Sequence, residues 1–291
     1  MQRKSSLSRA SDLRQSVEYG KYMESLSWLV KDGVFLKKIP LIPFYFAKYQ
    51  RPRWPLDVKK FIKLLKNNRV ILAVVEPDLS FKIDDMDEFK KIGFKKSVPM
   101  LPSKTIWLDL NKSESELLSK MQAKTRYNIK KYRTRVEIVS GDKISDEQFK
   151  HFYDIYKKNA KRQKFWGAKE SELKNLIRCF LKKAYLLLAN EGGLLLLIHD
   201  GVAYYSHNAS SVMGKKKFVP TTLTWEAIRL AKKLGCKRFD FEGISDKRYS
   251  MTKKWDGFTR FKKGFGGKEI EYIGAYRKFD IKNLYRYQCL D

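Results

Sequence analysis

Across residues 57–67 apolar side chains return at helical spacing, through Val58, Phe61, Ile62 and Leu65, and 70–75 then runs without a polar residue. The first pattern predicts an amphipathic helix and the second a central strand. Upstream, residues 33–50 read as two strands interrupted by Pro40 and Pro43, a pattern that suits sheet edges. Residues 85–92 are a second helix ending at Gly93, and Pro99 and Pro102 lead into a strand over 105–110. Residues 1–14 are basic and serine-rich with no apolar run, so they read as a frayed lead-in and not as a secretory signal.

Ser113 and Glu116 have capping-box spacing and open a helix with Leu117, Leu118, Met121 and Ile129 on one side. Its other side, from Lys120 through Lys124, Arg126, Lys130, Lys131 and Arg133 to Arg135, is strongly basic. Ser145 and Gln148 repeat the capping pattern, and Phe149, Phe152, Tyr153 and Tyr156 follow as a core stripe. Residues 185–189, 194–198 and 202–208 form a three-strand meander with Asn-Glu-Gly-Gly and His-Asp-Gly turns. After Pro220, Thr221 or Thr222 can cap a helix through Trp225, Ile228 and Leu234 that stops at Gly235, and 237–241 is the next strand. A meander, a helix and a further strand is the order at the core of N-acetyltransferase-like folds.

The chain has 291 residues, room for two domains of about 150 each. With 43% hydrophobic and 14% aromatic residues it has material for buried cores, which excludes a disordered or collagenous chain. Charge changes the picture: 62 Lys and Arg against 32 Asp and Glu give a net +30, which points to a polyanionic partner or substrate. Cys179, Cys236 and Cys289 are odd in number, far apart and without metal-ligand spacing, so no disulfide framework or zinc site is indicated and a reducing cytosol fits. No apolar stretch reaches the roughly 20 residues of a membrane span.

Several segments resemble motifs of one family. Pro102-Ser-Lys-Thr-Ile-Trp-Leu-Asp-Leu110 is followed by Lys124-Thr-Arg-Tyr-Asn-Ile-Lys130, and later come Phe239-Asp-Phe-Glu-Gly-Ile244 and Phe261-Lys-Lys-Gly-Phe-Gly-Gly267. Weaker signatures stand at Arg14-Gln-Ser16, Tyr19-Gly-Lys21 and Glu76-Pro77. In order and spacing these resemble the Fem family of nonribosomal peptidyltransferases, which move amino acids from aminoacyl-tRNA onto peptidoglycan precursors. The resemblance implies an α/β (α+β) chain of two tandem acetyltransferase-like (GNAT-like) domains without the helical-hairpin arm of some members. The first domain would be 1–109 completed by 272–291, and the second 110–271.

The resemblance also implies an aminoacyltransferase that adds glycine, alanine or serine to the stem peptide of lipid II or UDP-MurNAc-pentapeptide, with no cofactor and no metal. Its ester donor is already activated, so the chemistry needs a positioned amine and a stabilised oxyanion more than a strong nucleophile. His151, His199 and His207 accordingly fall in unrelated contexts. The family's catalytic pair falls on Lys262, as the stabilising ammonium, and Phe261, as a pocket wall. Arg162 and Lys21 match phosphate-binding positions, and guanidinium geometry suits that contact. Tyr205 and His207 fall on the strand of the family's paired tyrosines, with His207 replacing the second. Asp240 and Glu242, at a strand end, are candidates to bind the amine.

For tRNA the footprint is Lys124, Arg126, Lys130 and Lys131 with Lys247, Arg248, Lys253 and Lys254, giving affinity without sequence reading. Trp255, Phe258 and Phe265 interleave with these cations, and two of the three are expected in the core. The location implied is cytoplasmic, with peripheral contact to the anionic inner membrane surface. Two other readings stand beside this one. An acyl-CoA-dependent N-acyltransferase on the same fold would need a Gln/Arg-x-x-Gly-x-Gly/Ala pyrophosphate loop after the meander, which is missing. The other is a non-catalytic basic protein that binds RNA or a membrane surface.

Overall fold

The computed structural model describes residues 11–132 and 134–280. In chain order the elements begin α1 (Val17–Ser25), β1 (Leu29–Lys31), β2 (Val34–Lys38), β3 (Tyr45–Gln50), α2 (Val58–Asn67), β4 (Val70–Glu76), α3 (Asp87–Lys91), β5 (Lys95–Ser97) and β6 (Lys104–Asp109). Then come α4 (Glu114–Ser119), α5 (Ala123–Lys131), β7 (Glu137–Ser140), α6 (Asp146–Gln163), α7 (Glu170–Phe180), β8 (Ala184–Ala189), β9 (Gly192–His199) and β10 (Val202–Ser210). The rest are α8 (Val212–Lys216), α9 (Val219–Lys233), β11 (Arg238–Asp240), α10 (Asp256–Lys263), β12 (Lys268–Glu271) and β13 (Ala275–Phe279). They divide into two compact units, one ending at Ser103 and resumed from Glu271, the other Lys104–Ile270.

The first unit has a six-stranded sheet in the order β1-β2-β3-β4-β13-β5, and the second a seven-stranded sheet in the order β12-β6-β11-β10-β9-β8-β7. Both repeat one plan. An antiparallel meander (β1-β2-β3 or β8-β9-β10) is followed by a helix (α2 or α9) and by a strand parallel to the meander's last. The next strand in each sheet, β13 or β6, is antiparallel to that one. The chain is therefore a tandem of two acetyltransferase-like α/β folds, and the longest helix among the described residues has 18 residues.

In the first unit Asp57 caps α2 by accepting from the Lys60 amide at 2.8 Å, and Phe61 and Leu65 are buried against β4 and Phe89. β4, buried along most of its length, lies between β3 and β13. Glu76 at its end orders the connection: Oε1 accepts from the Met100 and Leu101 amides at 2.8 and 2.7 Å. Beside it Arg51 donates to Pro77 O and Pro102 O at 3.2 and 2.7 Å and stacks on Tyr272 at 3.5 Å. The Glu76-Pro77 signature thus has a structural use, holding three chain segments with charge-assisted bonds.

In the second unit one sheet face carries Leu187, Leu194, Leu196, Ala203, Tyr205, Phe239 and Phe241 against α9 residues such as Leu223 and Ile228. The other face is covered by α6 and α7, whose Phe149, Phe152, Leu173, Ile177 and Phe180 are buried. Tyr156 joins the buried stripe, while Tyr153 is half-buried at its margin.

Several expectations need correction. The boundary lies after Ser103 and not at Asp109, because β6 pairs with β11 in the second sheet. Pro40 and Pro43 lie in the loop between β2 and β3, and both strands are interior to the sheet. At the end of the lead-in Asp12 caps a 3-10 turn with buried Leu13, so the described part of that segment is not frayed. Phe218, in the left-handed region at φ 54°, precedes α9, so Thr221 and Thr222 lie inside the helix and do not cap it. Residues 1–10, Arg133 and 281–291, with Cys289, lie outside the described residues.

The basic helix is also not continuous. It breaks between α4 and α5, where the Gln122 amide donates to Gly264 O at 2.9 Å, and it ends at Lys131, leaving Arg135 outside. The loop causing the break is Gly264–Gly267. A Cβ on Gly266 would stand 2.8 Å from Lys120 O, and one on Gly267 would stand 2.7 Å from Trp107 O, both with φ positive. Only glycine lets the backbone pass this close. Gly267→Ala should destabilise the protein by about 1–3 kcal/mol from backbone strain, with further cost from displaced β6, measured by denaturant unfolding. An unchanged midpoint would show that the loop is not held there.

Candidate active site

The end of β11 gathers the most unusual chemistry in the second unit. Phe239 and Phe241 point into the core, so Asp240 between them faces the other way and is itself 4% exposed. Its Oδ1 accepts from Thr105 Oγ1 at 2.6 Å and the Glu242 amide at 2.8 Å, and its Oδ2 accepts from Trp107 Nε1 at 2.8 Å. Thr105 and Trp107 alternate along β6, whose register sets Trp107 opposite Asp240. Burial, and then the neighbouring Glu242 charge, push the Asp240 carboxyl up to about 6. Both oxygens are engaged by protein donors, so Asp240 orders the strand end. Glu242, at φ 61°, turns the chain away.

Lys262 closes this turn from α10. The expectation for a lysine-rich loop is a solvated charge, yet Lys262 is helical and 8% exposed. Its ammonium donates to Phe241 O at 2.7 Å and Gly243 O at 2.6 Å. The third N–H has no protein acceptor among the described residues. Its Nζ stands 5.5 Å from the Tyr205 ring and 5.0 Å from the Phe258 ring. Burial holds the ammonium down to about 8, opposed by the charges of Glu242 and Asp240. A lysine so placed keeps its charge at neutral pH and can exchange a proton just above it. Phe261 lies half-buried beside it, edge-on to Phe265 at 5.3 Å, as one wall.

Tyr205 and His207 do not share a face. A bulge at Ser206 sets Tyr205 opposite Leu196 and His207 opposite Leu195, which reverses the alternation. Tyr205 is buried on the Lys262 side, where its hydroxyl accepts from Asn208 Nδ2 and burial raises it above the usual phenol range. His207 goes to the α6 side, 5.7 Å from the Tyr156 ring, with Nδ1 2.8 Å from Ser206 Oγ. Burial lowers the imidazole to about 4, so it is neutral at pH 7.

Arg162 also stands on the α6 side. One guanidinium nitrogen donates to Asn159 Oδ1 at 2.6 Å and Ser210 O at 2.7 Å, and Lys215 of α8 is close enough that burial and then the Arg162 charge lower its pKa. Lys215 was not apparent as a neighbour in the sequence; its signal was the Lys-Lys-Lys run just after the meander. Lys21 lies on the exposed side of α1 in the other unit.

The tRNA candidates separate into two kinds. Lys124, Lys130 and Lys131 are exposed on α5, with Lys131 donating to Tyr127 Oη at 2.7 Å. Arg126 instead turns inward and donates to Met121 O, closing the end of α4. Lys253 and Lys254 are exposed on the 3-10 turn before α10, Lys247 is exposed, and Arg248 is paired with Asp246 at 2.7 Å. Of Trp255, Phe258 and Phe265, Phe265 alone is core; Trp255 is half-buried and Phe258 is exposed. The expectation of two in the core fails because α10 turns Phe258 outward.

A family model for the FemAB family matches residues 83–191 and 192–290. The chain belongs to the FemAB family. That makes it a transferase among peptidoglycan-related aminoacyltransferases. Among solved structures, this FemAB chain is similar to FemX, with TM-score 0.78 and 16% identity over 96% of this chain and 95% of that one. It is also similar to L-PGS from Bacillus licheniformis, with TM-score 0.57 and 12% identity over 92% and 89% of the two chains. A tandem GNAT protein from the clavulanic acid biosynthesis pathway is similar at TM-score 0.51 and 9% identity, over 84% and 78%. At these identities the likeness is one of fold. Among curated proteins none matches the chain by sequence. No helix of the described residues is long and apolar enough to cross a membrane, and no group of three or more His, Cys, Asp or Glu among them could hold a metal ion.

The placement of Lys262 predicts a pH signature. Its pKa is near 10.5 unfolded and about 8 folded, so between those values the unfolded chain binds more protons and stability rises with pH. Below about pH 7 the residue is protonated in both states and contributes no slope. Unfolding free energies of wild type and Lys262→Met, compared at about pH 7 and about pH 10, should diverge, with only wild type gaining the Lys262 increment. Parallel profiles would mean that the ammonium is solvated.

Proposed function

We propose that this FemAB protein is an aminoacyl-tRNA-dependent peptidyltransferase that adds glycine, alanine or serine to the stem peptide of a peptidoglycan precursor at the cytoplasmic face of the membrane. The observation that carries this reading is the buried Lys262 ammonium, fixed by two carbonyls with a third N–H to spare, beside Tyr205 and Phe261. In the reaction the acceptor amine attacks the ester carbonyl of the aminoacyl-tRNA. A C–N bond forms, the carbonyl oxygen becomes an oxyanion, and its collapse breaks the ester C–O bond and expels the ribose oxygen of the tRNA terminus, which takes up the proton the amine loses and leaves as a hydroxyl. An ammonium already oriented in a low-dielectric site stabilises that oxyanion without reorganising. Phe261 walls the site, and exposed Lys124, Lys130, Lys131, Lys253 and Lys254 attract the tRNA backbone. Arg162, with Lys215, supplies positive charge for phosphates of the acceptor, and Lys21 is a second candidate.

The acyl-CoA reading gains no support at the corresponding loop. Ser211–Lys217, after β10, is folded into α8 and lacks the Gln/Arg-x-x-Gly-x-Gly/Ala pattern.

The decisive test is transfer from aminoacyl-tRNA, run beside acetyl-CoA as donor. Lys262→Met should lower kcat about a hundredfold, as for a lost oxyanion donor, with KM little altered. Lys262→Arg should recover part of it, since a planar fork places charge differently from a compact ammonium. Activity that falls only with the folded fraction would leave Lys262 a purely structural role. Arg162→Ala should raise the KM for the peptidoglycan precursor and leave that for aminoacyl-tRNA nearly unchanged. The reverse would assign this arginine to the tRNA.

A further inference from the structure

Exposed apolar side chains scattered singly need no explanation, but four of them lie in two short segments, 165–166 after α6 and 212–213 at the start of α8, that the Arg162 hydrogen bond to Ser210 O ties together. Trp166 is 95% exposed, Val212 55%, Met213 47% and Phe165 40%. The loop after α6 folds back on the helix: the Phe165 amide donates to Ala160 O at 3.2 Å, and the Ala168 amide donates to Tyr156 Oη at 3.0 Å. From the same turn Arg162 reaches Ser210 O, next to Ser211, which caps α8 by accepting from the Gly214 amide. The Trp166 loop and the Val212-Met213 turn therefore flank one guanidinium.

The surrounding charge has one sign. Residues 155–169 contain six Lys or Arg and no acid, and residues 211–217 contain three lysines and no acid. An indole with exposed aliphatic side chains, ringed by cations, is the composition that enters the headgroup region of an anionic bilayer. RNA fits less well. Bases stack on aromatic faces, and Val212 and Met213 offer none.

We propose that the C-terminal end of α6, with the Trp166 loop and α8, is a docking surface for an anionic lipid bilayer, in which Trp166, Val212 and Met213 enter the interface and the flanking lysines meet lipid phosphates. Resting on the function proposed above, this sets Arg162 at headgroup depth and makes the acceptor lipid-linked, not a soluble nucleotide.

The full-length protein is sedimented with phosphatidylcholine vesicles, with and without phosphatidylglycerol, and transfer is assayed with lipid-linked acceptor in the same vesicles and with the soluble nucleotide-linked acceptor. Binding should require phosphatidylglycerol and weaken with salt. Lys216→Gln and Lys217→Gln should each weaken it about fivefold, the worth of one juxtamembrane cation. Trp166→Ser with Met213→Ser should weaken it further, with the unfolding midpoint unchanged. These variants should lower transfer to the lipid-linked acceptor in step with vesicle binding and keep transfer to the soluble one. Vesicle binding unaffected by the substitutions overturns the proposal. Normal vesicle docking by a wild-type protein that transfers nothing from aminoacyl-tRNA would support the surface and reject the proposed function, so the two fail separately.

Discussion

The second unit is organised by one buried ammonium. Lys262 can lose most of its hydration only because Phe241 O and Gly243 O replace it, at 2.7 and 2.6 Å, with Glu242 and Asp240 adding favourable charge. Those carbonyls are available because the strand ends there: β11 stops at Asp240, and Glu242 takes a left-handed backbone. Removing the lysine would leave two buried carbonyls unpaired, so the interaction is demanding in both directions. Its hold on α10 also fixes the path of the chain beyond that helix. Gly264–Gly267 must pass against Lys120 and Trp107, and that passage splits α4 from α5 and turns Lys124, Lys130 and Lys131 to the surface.

A second constraint sorts the rest of the site. The bulge at Ser206 sends Tyr205 and His207 to opposite faces of β10, so residues two apart serve different environments. On one face Tyr205, with its proton held firmly, lies under Lys262. On the other, a neutral His207 lies near Tyr156, on the helix that carries Arg162. His207, on that other face, therefore does not disturb the Lys262 environment.

How much of this was legible depends on whether the cause was local. α2, the meander and the capped start of α6 arise from spacing, turn residues and caps within a few positions of each other, and all three could be read from the sequence. The break after α4 was invisible because its cause, the glycine loop, lies far along the chain. The bulge was invisible because Tyr-Ser-His continues a plausible alternation. Lys262 stands out as a candidate through its motif, but its burial was not legible, since lysine by type is a surface residue. By sequence Asp240 is a candidate to bind an amine; the strand register that brings Thr105 and Trp107 to its carboxylate is not local and so was not legible.

The basic excess is also divided by residue type. Arginines are largely committed within the fold: Arg51 to carbonyls and the Tyr272 ring, Arg126 to Met121 O, Arg229 to Glu114 and Glu226, Arg238 to the Trp107 ring and Arg248 to Asp246. The planar fork suits such fixed, multi-point contacts. Lysines on α5, on the turn before α10 and around α8 mostly remain at the surface as hydrated point charges. The field presented to a polyanion is therefore carried mainly by lysine, long-stemmed and adaptable, and is screened over about 8 Å at physiological salt. Such a field concentrates a polyanion near the protein without choosing a register. Orientation must come from the few cations the fold immobilises, Lys262 at the strand end and Arg162 at the end of α6, and these two are held by backbone carbonyls, which fix a charge in place without neutralising it.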